Sequence, residues 1–208
     1  MFLLVMLTGA TVVFVEGWSA VSTAADQMKC SSRCRELIMA MKRWAIDHNG
    51  QYPTGATSNE VLRKFIRNED FLDERIFHSH CSRYQPDGII GEPPDYNQAL
   101  EPGENPWMIV DGLNLDSPGN YALIFENSLD TTWPPRWDPT KRSKPARGRT
   151  WREDKFFSRR ALILIARNDG STLFEYVDAK TGHLESQFQP DSPFPLPQGD
   201  LKLLDIEE

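Results

Sequence analysis

Three cysteines in 208 residues are too few for a disulfide scaffold. The chain has four histidines and no Gly-x-Ser-x-Gly elbow, no His-Glu-x-x-His and no phosphate loop. Those absences exclude the common hydrolase, zinc-peptidase and nucleotide-binding signatures, and a non-enzymatic function without a small-molecule substrate is expected. An excess of base is missing too. A net charge of −7 and a pI near 5.2 exclude a globally phosphate-neutralising surface, so no nucleic-acid partner is expected. Proline is absent from Ser19 to His48, where the nearest preceding glycine is Gly17, so nothing forces a helix to break there. Charge itself is absent from "MFLLVMLTGATVVFV", Met1 to Val15, until Glu16 ends the run.

That run is the strongest compositional signal. Fifteen helical residues span roughly 22 Å, short of the ~30 Å hydrocarbon core of a bilayer. Three readings stay open: a membrane or assembly helix, a signal peptide cut near the small residues of "STAAD" (Ser22 to Asp26), or a helix buried in a soluble core. No Lys or Arg precedes the run, which weakens the signal-peptide reading.

Downstream, Leu37, Met41, Trp44 and Ala45 recur at helical steps and predict a core-facing spine. Asn49-Gly50 and then Pro53 supply the stop. One helix from near Phe2 to near His48 is expected, about 70 Å long. "TSNEVLRKFIRNEDFLDERIF" predicts a short second helix capped by Ser58 or Asn59, with Val61, Leu62, Phe65 and Ile66 on one face. Strands are expected at Trp107 to Val110, Tyr121 to Phe125, Ala161 to Ala166 and Thr172 to Val177, the last two joined by turn chemistry at Asn168-Asp169-Gly170. Helices first and strands later predict an α+β fold with a small antiparallel sheet and long irregular loops. The expected division is an apolar segment 1–25, a globular domain 26–189 and a Pro-rich acidic tail 190–208 lying on the surface or disordered.

In this order, "CSSRCRELIMAMKRWAIDHNGQYPT", "TSNEVLRKFI", "DERIFHSHCSRYQPDG", "LEPGENPWMIV" and "RRALILIARNDGS" resemble the type II secretion pseudopilins and prepilin-like proteins of Verrucomicrobia and Planctomycetes. The resemblance covers roughly Cys30 to Val177. It implies a pilin-like domain behind a single inner-membrane helix, a periplasmic location, and other pseudopilin-like subunits as partners in a filament. Two departures stand out. Arg159 occupies the place of the family's His before Asp169-Gly170, and no prepilin-peptidase site precedes Phe2. Either the sequence starts at an internal methionine or this copy is not processed as a prepilin.

Three groups of residues have site chemistry. Cys30, Cys34 and Cys81, with His78 and His80, could form a zinc site, remain buried thiols, or, in an envelope compartment, make one disulfide from Cys81 to Cys30 or Cys34. Asp111, Asn114 and Asp116 offer calcium-type oxygen donors or simply a solvated turn; no other cofactor is implied. Arg142, Lys144, Arg147 and Arg149, with Trp137 and Trp151, form a basic, tryptophan-rich loop. As an alternative to a filament subunit, the chain would be an exported module whose loop 133–155 holds an anionic polymer.

Overall fold

Left-handed backbone at Asn49 (φ 55°) and Gly50 (φ 81°) ends the first helix where the sequence predicts. The Gly50 N–H donates back to Ala45 O at 2.7 Å, which satisfies a terminal carbonyl and turns the chain away. The computed structural model describes residues 2–68, 71, 73–79, 82, 84–139, 150–152, 160–186 and 201–207, with side-chain surroundings from Ala24 onward except at 151–152. Helix α1, Phe2–Asp47, is continuous over 46 residues. Its buried stripe is Cys30, Cys34, Leu37, Ile38, Met41 and Ala45, all fully enclosed.

Trp44 departs from the expected spine. It is half-buried, stacks on His48 with ring centroids 4.1 Å apart, and meets Phe65 edge-on at 6.1 Å. The reason is angular. The centre of the stripe runs through Met41, Cys34 and Ala45, which leaves Trp44 on the flank facing the second helix while Ile38 takes a core position.

Helix α2, Ser58–Arg67, is capped by Thr57 rather than by Ser58 or Asn59. Thr57 Oγ1 accepts from the Glu60 N–H at 3.1 Å, and Glu60 Oε2 accepts from the Ala56 N–H at 2.7 Å. This is a capping box shifted by one residue at its return bond. Ser58 and Asn59 are thereby freed for long-range bonds. Asn105 Nδ2 lies 3.0 Å from both their side-chain oxygens, and Asn59 Nδ2 donates to Leu100 O. A 3₁₀ turn follows at Glu74–Phe77.

The strands are β1 Trp107–Asp111, β2 Ala122–Glu126, β3 Trp151–Arg152, β4 Ala161–Arg167, β5 Thr172–Val177 and β6 Lys202–Leu204. Every pairing is antiparallel. β5 occupies one edge of β4 along its length, so β2 and the short β3 share the other edge. The sheet therefore reads β5, β4, β2, β1, β6 across, with β3 beside the start of β4.

Register assigns the two faces. Trp107, Ile109, Ile124 and Glu126 point one way with Leu162, Leu164 and Ala166. α1 covers this face, and Ser31 Oγ meets Thr172 Oγ1 at 2.7 Å on its β5 side. Met108, Phe125 and Ile165 point the other way, where the segment after β2 crosses: Ser128 N–H reaches Met108 Sδ at 3.1 Å, and Trp137 packs edge-on against Phe125. Cover on both faces explains why the run Ala161 to Ala166 is apolar without alternation. The fold is α+β, one long helix on an antiparallel sheet.

The expected surface tail is a structural element in its last part. β6 pairs Leu204 with Ile109 and Lys202 with Asp111, and Leu203, Leu204 and Ile206 are buried. Asp205 O accepts from the Ser58 N–H, Glu207 O accepts from the Gly103 N–H, and the Glu207 carboxylate takes both Arg63 Nη1 (2.9 Å) and Nη2 (2.6 Å). An edge strand stitched to α2 in this way belongs to the domain; residues 187–200 lie outside the described residues.

Candidate functional site

Three places in the fold concentrate chemistry, and the first is buried. Glu126, at the end of an apolar strand, sits beneath α1 with its side chain almost wholly enclosed. Ser79 Oγ donates to Glu126 Oε1 at 2.8 Å and the Leu164 N–H donates to Oε2 at 3.1 Å, while Cys30 Sγ approaches Ser79 Oγ at 3.8 Å. This chain of contacts joins α1, the segment after the 3₁₀ turn, β2 and β4. A buried polar network of this kind fixes one seating of the helix on the sheet. Burial pushes the Cys34 thiol well above its ordinary range, and the neighbouring Glu126 and Cys30 add to the effect. Cys34 is therefore an unreactive thiol at neutral pH. Cys81 and His80 lie outside the described residues, as does any disulfide or zinc site that uses them.

The second place is a carboxylate group absent from the sequence expectations. Oxygens of Glu74, Asp87 and Glu104 lie within 4.8 Å of one another. Backbone amides hold them: Gly88 and Leu100 donate to Glu74 at 2.7 and 2.8 Å, Asp87 and Glu101 donate to Glu104, and Ile89 donates to Asp87. Burial raises the Glu74 carboxyl pKa despite the Leu100 and Gly88 amides, and the Asp87 charge adds to the rise. Burial and then the Glu74 charge raise Glu104. These carboxyls pin the loop 85–104 to the 3₁₀ turn, and they are the oxygen donors a cation would use. No motif marks the group, because Glu74 and Glu104 are thirty residues apart in a turn-rich stretch.

The raised values fix a pH dependence. A carboxyl that holds its proton more tightly folded than unfolded contributes stability that is full below its ordinary pKa of 4.5 and is lost as pH rises through the raised value. Glu207 has the opposite sign. Burial alone would raise it, but bonds from Arg63 and Thr57 outweigh burial, so its contribution is present above 4.5 and lost as pH falls through the lowered value. Glu104→Gln is therefore expected to be better tolerated at pH 7 than at pH 4, read as the difference in thermal midpoint from wild type at each pH. An identical difference at both values would show that Glu104 does not sense Glu74.

The third place is the outward face of α1. Met28, Met39 and Ile46 are 74%, 65% and 72% exposed, and their spacing of eleven and then seven residues puts them on one line along the helix. Beside Met39 a cavity of about 560 Å³ is floored by Ala40 and Phe71 and rimmed by Arg35, Glu36 and Arg43. The spacing of these apolar residues is visible in the sequence, but it is outweighed by the stronger inward stripe.

The remaining expected sites fall apart or lie out of view. Asp111 is 3.3 Å from Lys202 Nζ, and Asn114 Oδ1 accepts from the Asp116 N–H and Ser117 Oγ. The DGLNLD stretch is thus a self-bonded turn docked by the Leu115 N–H on Gly50 O, in which Asn114 Oδ1 is taken up by the turn itself and Asp111 faces Lys202. Trp137 is 1% exposed, and its Nε1–H donates to Glu126 O at 3.2 Å, so it cannot stack on a polymer. Its backbone is clamped as well: a Cβ on Gly182 would lie 2.3 Å from Trp137 O, and Trp137 N–H donates to Gly182 O. Arg142, Lys144, Arg147 and Arg149 lie outside the described residues, and of Trp151 only its place in β3 is described. Among the described residues no helix is long and apolar enough to cross a membrane; the side chains of the Met1 to Val15 run are not among them. Comparison with family models, curated proteins and solved structures returns no match.

Proposed function

We propose that the chain is a structural, pseudopilin-like subunit of a type II secretion or type IV pilus-like assembly, held in the inner membrane by one helix with its folded domain in the periplasm. The observation that carries this reading is the single uninterrupted helix α1. Among the described side chains its enclosed stripe begins at Cys30, and the same helix runs on toward the N-terminus as far as Phe2. That stretch includes the uncharged run to Val15. An uncharged helical run of this composition is stable in lipid or against other apolar helices, and a continuous helix links that environment to the folded domain. The reading needs no catalytic group.

Expressed from its native start in a Gram-negative host, the protein is expected to sediment with membranes and to require detergent for release. A variant lacking residues 1–25 is expected in the soluble fraction. Recovery of the intact full-length chain as a soluble monomer would overturn the proposal.

A further inference from the structure

We infer that Asn49 is a modification site, where the side chain deamidates by closing onto the Gly50 nitrogen, and that the cap ending α1 gates the reaction. The inference is independent of the assembly reading. Asn49-Gly50 is the one Asn-Gly pair in the sequence. Glycine offers the least hindered peptide nitrogen, because no side chain stands beside it. Asn49 is exposed, whereas Asn127, which precedes Ser128, is buried.

In the reaction the Gly50 nitrogen gives up its proton and attacks Asn49 Cγ. A C–N bond closes a five-membered imide, and the side-chain nitrogen leaves as ammonia. Water then opens the ring at either carbonyl, which yields aspartate or its isopeptide isomer. The attack requires the nitrogen on the same side of the Asn49 Cα–C bond as Cβ. The fold holds it elsewhere. Asn49 has φ 55°, and in the left-handed region ψ is about +30 to +60°, which turns the Gly50 nitrogen to the side opposite Cβ. Its N–H is also engaged, donating to Ala45 O at 2.7 Å. On the far side of Gly50 the carbonyl accepts from the Leu115 N–H at 3.0 Å, and Gln51 bridges to Asn114. Closure therefore requires the Gly50 N–H to leave Ala45 and its peptide to swing round against these braces, a local opening at the helix end.

The product does not recap. Aspartate at this position adds a charge beside Asp47 at the negative end of the helix dipole. The isopeptide form lengthens the backbone by one carbon and moves the Gly50 N–H off Ala45 O. Each event loosens the junction between α1 and the DGLNLD turn irreversibly.

The test incubates full-length protein in detergent at one mildly alkaline pH, folded and in urea, and follows acid and isopeptide products at Asn49 by peptide mapping. Conversion in unfolding urea is expected to exceed conversion in the folded protein at least tenfold. Urea kept below the unfolding transition is expected to raise the rate in step with hydrogen exchange at the Gly50 amide. Leu115→Pro, which removes one brace, is expected to raise both without urea. Absence of conversion at Asn49 in unfolding urea would overturn the site. Equal rates in folded and unfolded protein would overturn the gate, as would faster Gly50 exchange without faster conversion.

Discussion

A chain ended at Asp200 is expected not to fold. Removing Leu203, Leu204 and Ile206 forfeits three buried aliphatic side chains, each worth about 1.5–3 kcal/mol of burial, or roughly 5–8 kcal/mol together. It also strips β1 of its edge partner and leaves the Arg63 guanidinium without the Glu207 carboxylate. Native stabilities of about 5–15 kcal/mol leave little after such a loss. Circular dichroism of the shortened full-helix chain in detergent is the measurement. A cooperative melt within a few degrees of wild type would show that β6 is an accessory. Glu207→Gln, which weakens one partly exposed ion pair and keeps the strand, is expected to cost only about 1 kcal/mol or less.

The second large effect is at Trp107. It is fully buried between the sheet and the helical layer, and its Nε1–H donates to Phe77 O at 2.6 Å. Trp107→Ala is expected to cost about 3–5 kcal/mol, the range for deleting a buried aromatic, which in a domain of this size lowers the thermal midpoint by roughly 10–15 °C. Trp107→Phe keeps most of the volume but leaves the Phe77 carbonyl unpaired, at a cost of about 1–3 kcal/mol. Trp44→Ala, on the flank, is expected to fall below Trp107→Ala in cost because part of that ring is already in water. The three midpoints in one detergent decide it; Trp44→Ala at or above Trp107→Ala would place the centre of the core on the α1–α2 seam instead of on the sheet.

The contrast between these tryptophans shows what could be read in advance. Local chemistry announced itself: Asn49-Gly50 ends α1, and Asn168 to Gly170 turns β4 into β5, because each depends on a few adjacent residues. The α+β order was legible for the same reason. What stayed hidden depends on partners far along the chain. "LKLLDIE" resembles any acidic tail until β1, more than ninety residues earlier, offers an open edge. Trp137 sits in a proline-rich stretch that resembles a solvated loop, yet that stretch is the cover of the second sheet face. The carboxyl group at Glu74 is likewise assembled by a loop whose path no periodicity encodes.

The C-terminal stitch also sets an order of events. Thr57 and Arg63 bond to Glu207 across 150 and 144 residues, so α2 and β1 leave the ribosome long before the strand that completes them. Until residues 201–207 emerge, the sheet has an open edge at β1 and the Arg63 side chain, though it can reach Ala99 O and Leu100 O, lacks its carboxylate. High-separation contacts of this kind slow folding. A domain whose closing piece comes after everything it touches stays unlatched through synthesis and locks only once that piece has arrived.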